Sequence, residues 1–239
     1  MPSPAAPDAA FAFTWLGHAT FRMTTPGGRH LLFDPWLTSP TCPESARAID
    51  RLDLMLLSHG HDDHIADAVQ TARQTGAHVL APYELSVWLQ QKGLRHVTGM
   101  NPGGTIRISG LSIAMVPALH SSSIVEDGRL VYLGLAAGYV VTLENGLTFY
   151  FAGDTALFGD MRLIGEIYKP AIAFLPIGDL YTMGPEQAAK ACELLGVKQV
   201  VPMHWGTFPG LTGTPAELRR LVEPRGVEVV ELEPGETAR

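Results

Sequence analysis

Cysteine, charge and long apolar runs are all scarce in this 239-residue chain, and each scarcity removes a class of protein. Two cysteines, Cys42 and Cys192, resemble neither a disulfide framework nor a Cys-rich zinc site and suit a reducing cytoplasm. Charged residues are 17% of the chain against about 25% in typical domains. Glycine and proline are plentiful, so a compact α/β protein with buried strands and tight turns is expected. Lys and Arg form no cluster and the formal charge is -7, so no nucleic-acid surface is expected. The uncharged run 130–143 is too short for a bilayer and contains Gly134 and Gly138, so no membrane span is expected. Residues 1–10 lack a basic start and a long apolar core. They read as a disordered N-terminal tail rather than a signal peptide, which again points to the cytoplasm.

What is present is a succession of short elements. Strands are expected over 11–16, 20–24, 30–33 and 54–57, then helices over 65–74 and 82–91 around a strand at 78–80. Residues 105–151 are strand-rich, with a strand at 111–117 and a hairpin at Asn145-Gly146 that signals a type I′ turn. Helices near 162–168, 185–195 and 215–222 then alternate with strands at 172–175, 199–201 and 227–230. A strand-rich first portion followed by α/β alternation predicts two sheets with helices outside.

The densest chemistry follows the apolar run 52–57, in Ser58-His59-Gly60-His61-Asp62-Asp63-His64. His59, His61, Asp63 and His64 are all good ligands for zinc and similar divalent ions. One segment cannot easily wrap all four around a single ion. His59 and His61 alternate along an extended loop, whereas Asp63 and His64 stand at the start of a helix. The spacing therefore suggests two metals side by side and predicts further His and Asp ligands at separate strand ends. His120 after 111–117, Asp154 after 148–151 and His204 after 199–201 meet that expectation, each where a rigid scaffold presents functional groups.

These residues lie among further recognisable segments: Thr14-Trp15-Leu16-Gly17-His18-Ala19, Phe33-Asp34-Pro35-Trp36, Gly153-Asp154-Thr155, Tyr181-Thr182-Met183-Gly184-Pro185 and His204-Trp205-Gly206-Thr207-Phe208-Pro209. With them the chain resembles the metallo-β-lactamase superfamily, most of all its UPF0173-type metal-dependent hydrolases, relatives of ascorbate-6-phosphate lactonase. The resemblance implies a four-layer αββα sandwich, with 11–239 as one hydrolase domain and a two-metal site between the sheet edges. It implies that His59, His61 and His120 bind one metal, that Asp63, His64 and His204 bind the other, and that Asp154 bridges both. It also sets the His18 loop near the site, where His18 would contact substrate or transfer a proton beside a catalytic Asp63.

The expected activity is hydrolysis of a small ester, lactone or phosphoester by a hydroxide shared between two divalent ions. The alternatives are a phosphodiesterase or nuclease on the same site, and a non-catalytic metal-binding scaffold. Zinc suits the His-rich set, and manganese, iron, cobalt or nickel can occupy such sites. Asp34 and Ser58 are expected to support ligand histidines, and Tyr181, Trp205 and Phe208 to line the pocket. Substrate identity and homo-oligomerisation are not legible at this level.

Overall fold

Short runs rich in aromatic and branched residues, such as Ala137–Thr142 and Thr148–Phe151, form strands because alternate side chains can then enter two different cores. The computed structural model describes residues 10–239, so all of the expected tail except Ala10 lies outside the described residues. The first half runs β1 (Ala12–Trp15), β2 (Phe21–Thr24), β3 (His30–Phe33), β4 (Leu54–Leu56), α1 (Asp62–Ile65), α2 (Ala68–Thr75), β5 (His78–Pro82), α3 (Tyr83–Gln91) and β6 (Val97–Met100). The second half runs β7 (Thr105–Ile108), β8 (Leu111–Pro117), β9 (Ser123–Glu126), β10 (Arg129–Tyr132), β11 (Ala137–Thr142), β12 (Thr148–Phe151), α4 (Met161–Tyr168) and β13 (Ile172–Pro176). It ends with α5 (Pro185–Leu195), β14 (Gln199–Met203), α6 (Pro215–Val222), β15 (Glu228–Val229) and β16 (Thr237–Ala238).

Two seven-stranded sheets result, ordered β16-β1-β2-β3-β4-β5-β6 and β15-β14-β13-β12-β11-β8-β7, with β9 and β10 as a separate hairpin. In each sheet an antiparallel part passes into a parallel part, at β3–β4 and at β12–β13. Phe149 and Phe151 enter the core between the sheets, while Tyr150 between them faces α4 and α5. The first sheet sends Leu32, Met55 and Val79 the other way, under α2 and α3. Helices thus cover both outer faces, and the architecture is the αββα sandwich.

The inner core is mainly aromatic. Phe174 packs edge-on against Phe13 at 5.1 Å and Phe21 at 4.9 Å, with Phe149 at 5.6 Å. Three ties lock the sheets together where the active groups emerge. Tyr139 Oη donates to the Leu57 carbonyl at 2.8 Å, Ala137 N to the Ser58 carbonyl at 2.9 Å, and His204 N to the His18 carbonyl at 3.0 Å.

Two local expectations are corrected. Helix 65–74 is broken into α1 and α2 because Asp67 N donates to the Pro35 carbonyl at 3.1 Å instead of joining the helical ladder. The Asn145-Gly146 turn is not type I′, since Gly146 has φ 86° and Asn145 is not among the described residues with positive φ. Gly146 N donates to the Leu143 carbonyl and Leu143 N to the Leu147 carbonyl, which is a three-residue loop with a bulge. The central aromatic cluster sets the spacing between the sheets. Phe174→Ala is therefore expected to cost about 3–5 kcal/mol of stability, measured by chemical denaturation.

Candidate metal centre

Six strand ends converge on one edge of the sandwich. β1 leads to His18, β3 to Asp34, β4 to residues 58–64, β8 to His120, β12 to Asp154 and β14 to His204. His59 and His61 lie on the extended stretch before α1, with His61 as its N-cap, while Asp63 and His64 occupy its first turn. His18, Asp34 and His204 all have positive φ, at 51°, 42° and 56°. Asp and His tolerate this region better than most residues. Gly153, at φ 61°, could not carry a side chain, because a Cβ would lie 2.6 Å from Ser58 Cβ.

His59, His61 and His64 each have one nitrogen held and one directed inward. Asp34 is fully buried and accepts from Ser58 N at 2.7 Å, Ser58 Oγ at 2.5 Å and His64 Nδ1 at 2.8 Å. With its proton given to Asp34, Ser58 Oγ accepts from His59 Nδ1 at 2.9 Å. Ser121 Oγ lies 3.3 Å from His61 Nε2. His59 Nε2, His61 Nδ1 and His64 Nε2 are thereby left facing the interior, which is how outer partners fix a ligand's tautomer.

The inward atoms form two groups. His59, His61 and His120 compose one, with His59 Nε2 3.0 Å and His120 Nε2 3.3 Å from His61 Nδ1. Asp63, His64 and His204 compose the other, joined there by His18. Asp154 lies between them. Its carboxylate is 3.0 Å from His204 Nε2, 3.4 Å from His64 Nε2, 3.5 Å from His120 Nε2 and 4.0 Å from His59 Nε2.

This donor set fits divalent metal. Nitrogen ligands at about 2.0–2.1 Å in a tetrahedron stand roughly 3.3 Å apart, which matches the spacing of the first group. Buried His64 Nε2, His204 Nδ1 and Nε2 and Asp154 Oδ1 have no hydrogen-bond partner, an unusual concentration for native interiors. Burial holds His59 well below the usual imidazole pKa and lowers His120 as well, so both present lone pairs at neutral pH. Burial also opposes the charged forms of Asp154 and His64, yet their mutual attraction and that of neighbouring groups win. Asp154 is driven well below the carboxylate range and His64 well above the imidazole range, so the carboxylates here demand positive charge.

His18 is fully buried. Its Nε2 lies 3.0 Å from Asp63 Oδ2 and its Nδ1 2.9 Å from Thr207 Oγ1. Burial pushes its pKa down to about 4, so the neutral ring donates to Asp63 from Nε2 and accepts from Thr207 at Nδ1. It is not among the residues that line the cleft. The expectation that Trp205 lines the cleft is corrected, because Trp205 stacks on Trp15 at 5.3 Å instead. Tyr181 and Phe208 do line the cleft of about 580 Å³, over a floor formed by His61, Asp63, His120, Asp154 and His204. Sequence reasoning missed Thr207, 189 residues from its partner His18.

Comparisons with known proteins agree with this construction. Residues 29–205 match the model of the Beta-lactamase superfamily domain, a span that holds all seven inward-facing donors. The chain is 50% identical over 225 residues to a UPF0173 metal-dependent hydrolase of Koribacter versatilis, covering 94% of this chain and 96% of that one. A UPF0173 metal-dependent hydrolase of Methanopyrus kandleri is also 50% identical, over 94% and 97% of the two chains. Among solved structures, Igni18, a metallo hydrolase of the archaeon Ignicoccus hospitalis, superposes with a TM-score of 0.85 at 39% identity, covering 95% and 97%.

Asp34 supplies the most testable support. Asp34→Asn keeps the shape but exchanges one acceptor for a donor facing Ser58 and His64. It is expected to weaken metal binding about 10- to 100-fold, read by competition with a chromophoric chelator.

Proposed function

The chain belongs to the UPF0173 metal-dependent hydrolases of the β-lactamase superfamily, and from that membership we propose a dinuclear hydrolase acting on a small ester, lactone or phosphoester. His59, His61 and His120 would hold one ion and Asp63, His64 and His204 the other, with Asp154 placed to serve both. The observation that carries this reading is the position of Asp154, within 3.0–4.0 Å of four imidazoles drawn from both groups. The His-rich set favours zinc, with manganese, iron, cobalt or nickel as competitors. The buried free thiols Cys42 and Cys192 support a reducing, cytoplasmic setting.

Two divalent ions bound there would supply hydroxide near neutral pH and polarise the scissile oxygen. The chain's own groups direct that chemistry. Asp63 is 26% exposed at the cleft floor and orients the attacking water. His18 holds Asp63 Oδ2, and the Thr207 hydroxyl fixes the His18 tautomer, so the pair acts as a positioning device.

Purified protein is expected to carry about two equivalents of transition metal and to lose turnover on chelation, with recovery on metal return. A panel of lactones, thioesters and bis-aryl phosphodiesters reads the substrate class. Metal content well under one equivalent, with His61→Ala and Asp154→Ala unchanged, would sink the proposal. Thr207→Val is expected to lower kcat about tenfold with little change in KM, and Thr207→Ser to restore it. Equal loss in both variants would deny the hydroxyl its role.

A further inference from the structure

The cleft joins two opposite chemistries. Its floor is the donor set, but Leu180, Tyr181, Phe208 and Pro209 form the facing wall. Leu180 and Tyr181 are 64% and 60% exposed, although exposed apolar clusters of this kind usually mark a binding surface. No lysine or arginine lines the cleft among the described residues.

The wall is preformed. Asp179 and Leu180 have φ 66° and 52°, and a left-handed backbone is costly for a leucine. Surrounding bonds hold it there. Leu180 N donates to Asp179 Oδ1 at 2.9 Å, and Asp179 N to the Met183 carbonyl at 3.0 Å. Met183 N donates to the Thr155 carbonyl at 3.2 Å, tying the loop to the residue after Asp154. Leu180 lies over Gly210, where a Cβ would come within 2.8 Å of Leu180 Cδ2. Phe208 is stacked on Trp36 at 5.7 Å. The loops after β13 and β14 thus interlock, and the strain is spent on holding Leu180 against the cleft.

We propose that this wall selects uncharged esters or lactones bearing an apolar chain or ring, and disfavours phosphorylated substrates. The inference rests on the hydrolytic reading of the floor and narrows it. Metal ions would engage the scissile group of a neutral or an anionic substrate alike, so the body of the molecule is discriminated by the wall. An anionic body would be desolvated there without a cationic partner, and the chain's formal charge of -7 gives no long-range attraction. In the reaction, water adds its oxygen to the acyl carbon. The bond from that carbon to the ester oxygen breaks with its electron pair, and that oxygen takes the proton.

The test uses metal-loaded protein and two homologous series. Straight-chain hydroxamates from acetyl to octanoyl are titrated calorimetrically, and γ-lactones with matching alkyl chains are assayed for kcat/KM. Both are expected to improve about fourfold per added methylene until the wall is covered. Leu180→Gly, which relieves the backbone and removes the side chain, and Phe208→Ala should flatten the slope, with metal content as the control for an intact floor. A phosphorylated sugar lactone should be the poorer substrate. A flat wild-type slope, an unchanged slope in both variants, or preference for the phosphorylated lactone overturns the proposal. If the hydroxamate slope stands and no lactone is hydrolysed, the wall is upheld and the reading of the reaction fails instead.

Discussion

Burying a carboxylate is expensive unless its lone pairs are engaged, and Asp34 shows how this fold meets that demand. Asp34 sits at the end of β3 with no exposure and accepts from Ser58 N, Ser58 Oγ and His64 Nδ1. Those bonds join the end of β3 to the loop after β4 and to α1. They fix the loop's path and the tautomer of His64, and through Ser58 Oγ that of His59. Without Asp34, the inward-facing nitrogens would have no reason to point together. The remaining donors only have to arrive from the other sheet, which the three inter-sheet bonds at Leu57, Ser58 and His18 ensure.

Much of the floor was legible because its chemistry is local. Four donors lie within residues 59–64, and the others follow hydrophobic strands whose ends could be read. Helices α5 and α6 likewise keep the expected bounds, helped by Pro at the start of each and by the Thr214–Glu217 capping box. What was not legible depends on contacts between distant residues. β16 has only Thr237 and Ala238 and exists as a strand because it pairs with β1. β6 includes Gly99, which weakens any strand pattern. The split of α1 from α2 depends on a carbonyl at Pro35. Trp205 was expected to line the pocket, but the positive φ of His204 turns the chain and Trp205 meets Trp15.

The same distinction separates the two sides of the cleft. Donor identity is written in residue type, since only a few side chains bind metal. An apolar wall carries no such signature, because leucine, tyrosine and phenylalanine are ordinary core residues. Leu180, Tyr181 and Phe208 acquire meaning only when the backbone leaves them exposed beside the donors.

The centre also concentrates the structure's costs. Three buried or half-buried carboxylates, four unpartnered polar atoms and positive φ at His18, Asp34 and His204 all fall within one edge of the sandwich. Each strained residue costs of order 1–3 kcal/mol, a sizeable share of a typical domain's 5–15 kcal/mol. The aromatic core between the sheets offsets these costs without metal. A bound ion would satisfy His64 Nε2, His204 Nε2 and Asp154 Oδ1 and balance the carboxylates, so that metal affinity is also folding free energy. The fold therefore needs its hydrophobic core to form the centre, and the centre draws on the ion to relieve the charge and hydrogen-bonding deficit that the core cannot reach.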